Sequence, residues 1–248
     1  MKFDLNGRTA LVTGAATEIG TAVGEALLRA GAAVVAHDRD AVAVGLVVDG
    51  LSARVDGAEV SGVAADLGTA AGAAALVQAV PYADVLVNNV APASGTSILN
   101  VDEAEWRDFF EASVLSNVRL VRHYLPRMVA SGRGRVVFVS AGPLVQTSIQ
   151  TVHQGVVTLA QLALTRGLAQ SVAGTGVTVN TVLPGATHPP VGDVPAPPAW
   201  PTAPGMHGRP ISPDEVANLV LYAVSDYAAA TTGAALRVDG GAVPFLVP

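Results

Sequence analysis

Short runs rich in Val, Ala and Leu alternate along this chain with longer stretches patterned for helix. The first pairs are Thr9–Thr13 with Ile19–Ala30, Ala33–His37 with Ala41–Ala53, and Val60–Ala65 with Ala70–Val80. The second half continues with Val85–Asn88, Asp102–Ala130, Arg135–Ser140, Thr151–Ala173, Val177–Leu183, Pro213–Ser225 and Ala235–Val238. A strand that is apolar on both faces must be covered on both faces, as happens in a parallel sheet with helices packed above and below it. The order predicts an α/β fold: a single Rossmann-like doubly wound domain over residues 1–248, with about seven parallel strands.

Half of the 248 residues are hydrophobic, enough to fill one core of this size. The formal net charge of −6 is dispersed without acidic or basic blocks, so neither nucleic acid nor an anionic membrane is an expected partner. There is no cysteine, which removes disulfide and thiolate chemistry, and five histidines without clustered carboxylates predict no metal site. The N-terminal residues run into a strand with no long apolar stretch, so a secretory signal is not expected and the cytoplasm is the expected compartment. No formally charged residue lies between Arg135 and Arg166, yet Gly142, Pro143, Gln146, Ser148, Gln150, Thr151 and Gln154 break that stretch. It reads as a buried strand, a polar loop and a buried helix rather than a membrane span. Residues 184–213 hold ten of the sixteen prolines and are expected to form a long irregular lid or loop.

Several motifs sit where this fold binds ligands. Gly14 to Gly20 carries a glycine turn from strand into helix, Asp38 ends the second strand, and Asp66-Leu67 follow the third. Asn88-Asn89 end the fourth strand, Asn180 to Gly185 include Pro184-Gly185, and Asp239-Gly240-Gly241 lie near the end. Together these motifs resemble the short-chain dehydrogenase/reductase family over residues 3–245. The resemblance implies a nicotinamide dinucleotide site and a catalytic Asn, Ser, Tyr and Lys set for alcohol–carbonyl interconversion. Its cofactor-binding positions fall on Gly14, Ala16, Thr17, Ile19, Asp38, Asp66, Leu67, Asn88, Pro184, Gly185 and Thr187. An acidic Asp38 beside the adenosine ribose would favour NAD over NADP.

The catalytic positions depart from that pattern. Ser140 matches the serine, but the tyrosine position is His153 and the lysine position four residues on is Val157. Lys2 is the only lysine in the chain, so no other can take the role. The asparagine position counts to Ser113, with Asn117 one turn later, and the middle glycine of the phosphate turn is Glu18. Val90-Ala91 replace a smaller Ala-Gly pair. His153 reads first as a buried filler of a disused pocket, and second as a general base facing Ser140.

These departures predict a non-catalytic subunit that pairs with an active hydroxyacyl-CoA-type dehydrogenase relative. The expected assembly is a homo- or hetero-tetramer through helices 102–130 and 151–173, with Val156, Leu159, Ala160, Ala163 and Gly167 as the packing face. Two alternatives stand beside it: a repurposed enzyme using Ser140 and His153 for non-redox chemistry, and an NAD(H)-dependent oxidoreductase with an unorthodox proton donor.

Overall fold

The computed structural model describes residues 3–90, 97–140, 152–185, 187, 206 and 208–243. In chain order the elements are β1 (Thr9–Thr13), α1 (Glu18–Arg29), β2 (Ala33–Asp38), α2 (Ala41–Arg54), β3 (Val60–Ala64), α3 (Ala70–Ala79) and β4 (Val85–Asn88). Then come α4 (Glu103–Phe110), a π-helical turn (Glu111–Leu115), α5 (Ser116–Ala130), β5 (Gly134–Val139), α6 (Val152–Ser171), β6 (Val177–Pro184), α7 (Pro213–Val224) and β7 (Ala235–Val238). All seven strands pair in parallel in the order β3-β2-β1-β4-β5-β6-β7.

Alternate residues of each strand feed opposite layers, as the pleat requires. Val12, Val87, Val137 and Val182 pack on one side with Val23 and Leu27 of α1 and Val216 and Val220 of α7. Leu11, Leu86, Phe138 and Val179 pack on the other side with Leu76 of α3 and Leu120 and Tyr124 of α5. Both faces of the central strands β1, β4, β5 and β6 are buried, which is why these strands read as continuous apolar runs, while the edge strands β3 and β7 are only partly covered. Helix starts are held by side-chain caps from Thr17, Asp40, Thr69, Asp102 and Ser212, each contributing about 1 kcal/mol.

The single helix expected over Asp102–Ala130 is interrupted by the π-helical turn at Glu111–Leu115. Most of the expected lid lies outside the described residues; within it, Thr187 bridges to Ile211. Among the described residues no helix is long and apolar enough to cross a membrane.

The sheet order reverses direction at β1, with β2 on one side and β4 on the other. Connections leave β1 and β4 to opposite faces there, so a crevice opens at the C-terminal ends of the strands.

Candidate dinucleotide and active site

The chain leaves β1 at Gly14 with φ +61°, where a Cβ would come within 2.4 Å of the Asn89 carbonyl oxygen. Gly20 is equally enclosed, since its Cβ would lie 2.1 Å from the Gly14 carbonyl oxygen. Only glycine lets the turn fold this closely back on itself. The Thr17 hydroxyl accepts from Gly20 N at 3.0 Å and from Asn89 Nδ2 at 2.8 Å, and donates to the Gly14 carbonyl at 2.9 Å. Among the described residues no acceptor takes the N–H groups of Glu18 and Ile19 in the first turn of α1. Such free N–H groups at a helix start suit a phosphate.

Asp38 stands half-buried on the rim of the same crevice. Its Oδ2 accepts from Ala16 N at 3.2 Å and its Oδ1 from Arg39 N at 2.8 Å, which fixes the carboxylate beside the turn. The preceding His37 is buried, with Nε2 2.9 Å from the Ala65 carbonyl and Nδ1 unpartnered. Burial holds its pKa below the ordinary 6.5, opposed by the Ala65 bond and the charges of Asp38 and Asp66. Asp66 Oδ1 accepts from Gly68 N at 2.9 Å to shape the entry to α3, and Leu67 is buried in the core.

A buried hydrogen-bond chain crosses the switch point. Thr13 Oγ1 donates to Asn88 Oδ1, Asn88 Nδ2 donates to Asn117 Oδ1, and Asn117 Nδ2 donates to the Ser113 carbonyl at 2.9 Å. Gln161 Nε2 of α6 reaches the same carbonyl at 3.1 Å. Two side chains therefore converge on one carbonyl in the π-helical turn. Ser113 Oγ and Gln161 Oε1 are buried without partners among the described residues. Neither Gln161 nor the linkage of Asn88 to Asn117 was expected from sequence; Gln161 lies four residues after Val157 on α6, the spacing that could have shown it.

Ser140 and His153 are both buried, but they do not bond each other. Ser140 Oγ lies 3.0 Å from Thr158 Oγ1. The His153 ring stands edge-on to Phe109 at 4.9 Å between centroids and to Trp106 at 6.2 Å, and both its nitrogens lack partners among the described residues. Val157 packs with Phe109 and Val114 and places no charge in the site. Glu18 is exposed, away from the interior of the turn. Pro184 and Gly185 close the far wall at the end of β6, where Gly185 N donates to the Val238 carbonyl at 2.9 Å. A Cβ on Gly185 would meet Asp239 Cα at 2.8 Å. Val90 is described, whereas Ala91 lies outside the described residues.

A glycine turn, an acidic residue at the end of β2 and polar side chains at the ends of β4 and β5, all on one parallel sheet, define a Rossmann-type dinucleotide fold. The family model described as Enoyl-(Acyl carrier protein) reductase matches residues 14–243, and the chain belongs to the short-chain dehydrogenase/reductase family. It is 35% identical to the uncharacterized oxidoreductase YvaG of Bacillus subtilis (strain 168), over 98% of this chain and 98% of that protein. It is 31% identical to the (2S)-[(R)-hydroxy(phenyl)methyl]succinyl-CoA dehydrogenase subunit BbsD of Thauera aromatica, over 96% of this chain and 97% of that one. Its fold matches the crystal structure of L-sorbose reductase from Gluconobacter frateurii, complexed with NADPH and L-sorbose. That match has a TM-score of 0.90 at 28% identity and covers 99% of this chain and 100% of the other.

These relatives overturn the expectation of a non-catalytic subunit paired with an active relative. Proteins alike over nearly the whole chain are oxidoreductases and dehydrogenases. The non-redox alternative falls with it, and in the structure Ser140 is hydrogen-bonded to Thr158 instead of to His153.

Proposed function

We propose that this chain is an oxidoreductase that interconverts an alcohol and a carbonyl compound, using NAD(H) in preference to NADP(H). The observation that carries the reading is the Asp38 carboxylate, held beside the Gly14 turn by the Ala16 and Arg39 N–H groups. A ribose 2′-phosphate of about two negative charges, placed roughly 5 Å from that carboxylate, would be disfavoured by roughly 1.5–2 kcal/mol even at the dielectric of water. Ribose hydroxyls would instead donate to it.

The residues present fit a dinucleotide. Gly14 and Gly20 let the backbone close up, the N–H groups of Glu18 and Ile19 await acceptors, and Asn88, Pro184, Gly185 and Thr187, at or just past the C-terminal ends of β4 and β6, would hold the nicotinamide half. When bound, the nicotinamide gives or takes the hydride. The Ser140 hydroxyl, oriented by Thr158, would hold the substrate oxygen. The accompanying proton has no tyrosine to carry it, and His153 is the titratable side chain that α6 brings to this end of the sheet.

Titration of NADH and NADPH against the protein, followed by nicotinamide fluorescence, tests the reading. NADH should bind saturably and roughly tenfold more tightly than NADPH, and Asp38→Ser should narrow the gap. Absence of saturable NADH binding at millimolar concentration would refute it.

For assembly, we infer that a second copy of this chain docks on the outer face of α6. Val156 is 44% and Leu159 59% exposed there. Ala163 is also exposed, and a Cβ on Gly167 would meet nothing within 4 Å, so another helix can approach closely. Two copies related by a two-fold axis would use one and the same patch.

A further inference from the structure

At the end of the sheet opposite the crevice, the residues leading into β1, β4, β5 and β6 enclose a cavity of about 210 Å³. Arg8, Arg133 and Arg135 line it, together with Asp4, Asp84 and Asp226. We propose that this cavity binds a small tetrahedral oxyanion, either inorganic phosphate or the phosphate end of a metabolite.

The argument rests on which donors and charges are already spent. Asp84 is buried and satisfied: it accepts from Thr9 N at 3.0 Å and Tyr82 Oη at 2.7 Å, and pairs with Arg133 Nε at 3.2 Å. Asp226 pairs with Arg135 Nη2 at 3.1 Å, and Asp4 accepts from Asn6 N at 3.0 Å and Asn6 Nδ2 at 2.7 Å. The carboxylates therefore face donors of their own. The Arg8 guanidinium, by contrast, approaches Asp84 no closer than 3.9 Å and makes no side-chain hydrogen bond among the described residues. Arg135 gives Nη1 to the Gly134 and Gly176 carbonyls at 2.9 and 3.0 Å, and its Nε–H is buried without an acceptor among the described residues.

Arg8 is thus held only by a long 3.9 Å ion pair to Asp84, and next to the same cavity Arg135 keeps a buried Nε–H with no acceptor among the described residues. Buried donors are rarely left so, and guanidinium groups favour oxyanions that can take two bonds at once. Burial presses the Arg135 pKa down, the paired Asp226 opposes that, and the Arg8 charge adds to the lowering. Space is sufficient, since 210 Å³ equals about seven waters at roughly 30 Å³ each. No part of the dinucleotide crevice contributes to this wall, so the site is a separate one.

The test is titration of inorganic phosphate into the full-length protein, with sodium chloride at matched ionic strength as control, followed by calorimetry and thermal midpoint. Saturable binding is expected, weakened roughly tenfold or more by Arg8→Ala and less by Arg8→Lys. Glycerol 2-phosphate in a parallel arm separates the sources: tighter binding than inorganic phosphate, still dependent on Arg8, assigns the site to a phosphorylated metabolite, and weaker binding assigns it to the free ion. Arg8→Gln serves as a second variant should Arg8→Ala fold poorly, and the same weakening is expected of it. No saturable binding beyond the chloride control overturns the proposal. So does binding that both variants leave unchanged, because the anion would then sit at the start of α1.

Discussion

Glu18 stands in the first turn of α1, where the helix dipole favours a carboxylate and a dinucleotide phosphate would have to come close to it. Being exposed, it acts through solvent: a charge pair about 6 Å apart at the dielectric of water costs roughly 0.7 kcal/mol, about threefold in affinity. Glu18→Gly should therefore tighten NADH binding about threefold at low salt, with the gain shrinking as salt is raised; an unchanged affinity would show that the carboxylate lies too far from the phosphates to matter. The identity of Glu18 was plain in the sequence, but its direction was not, because a single departure from a glycine motif does not say which way the new side chain turns. His37 was silent in the sequence for a related reason: nothing in AVVAH marks the ring as buried against the Ala65 carbonyl. Since burial lowers its folded-state pKa below 6.5, the unfolded chain binds the proton more readily. The stabilising difference is present above pH 6.5 and is lost as pH falls through that value toward the folded-state pKa. Urea unfolding at pH 7.5 and 5.5 should show the wild type losing stability over this window and His37→Asn losing less. Equal losses would mean that other groups carry the proton uptake.

At the scale of elements, the segment from α4 to α5 shows what a periodicity can and cannot reveal. Trp106, Phe109, Phe110, Val114, Val118 and Val121 make a stripe compatible with one continuous helix, and a π-helical turn adds a single residue without breaking such a stripe. The extra residue shifts Ser113 and Asn117 so that both lie inside, with Asn117 in the chain from Asn88. The asparagine position counts to Ser113 with Asn117 one turn later, and the structure joins these two by a hydrogen bond from Asn117 Nδ2 to the Ser113 carbonyl. On α6 the pattern was more legible, because i and i+4 spacing already put His153 and Val157 on one side, and both are buried facing α4. The edge-on packing of His153 against Phe109 depends on tertiary contacts that no local pattern contains. Restoring the family pair tests what this helix lacks. Val157→Lys alone should cost roughly 3 kcal/mol, because it buries a cation among Phe109 and Val114 without a partner. Combined with His153→Tyr it should raise NADH-linked turnover on a panel of carbonyl substrates by about 10²-fold or more, the usual worth of a placed proton donor. A double variant that folds, binds NADH and turns over no faster than wild type would locate the deficit in substrate placement.

For the molecule as a whole, the layered sheet was readable because burial on both faces leaves an unmistakable record: seven apolar runs, the first six each followed along the chain by a helix of adequate length. The strand order follows from chain reversal at β1 and from right-handed crossovers. What surfaces do is less legible, since an exposed apolar residue is ordinary on any protein, and only a contiguous face carries meaning. On α6 the strip from Val156 through Leu159 and Ala163 to Gly167 is such a face, with Arg166 beside it near the Gly233 turn. If a second copy docks there, light scattering should give a mass at least twice that of the 24.9 kDa chain. Leu159→Glu should then reduce it toward the monomer, because two-fold symmetry places two new charges in one apolar contact. The same substitution at Leu46, 69% exposed on α2, should leave the mass unchanged, which separates a specific interface from general stickiness. A monomeric wild type, or a mass indifferent to Leu159→Glu, would remove the interface from α6 and leave its apolar strip without a partner.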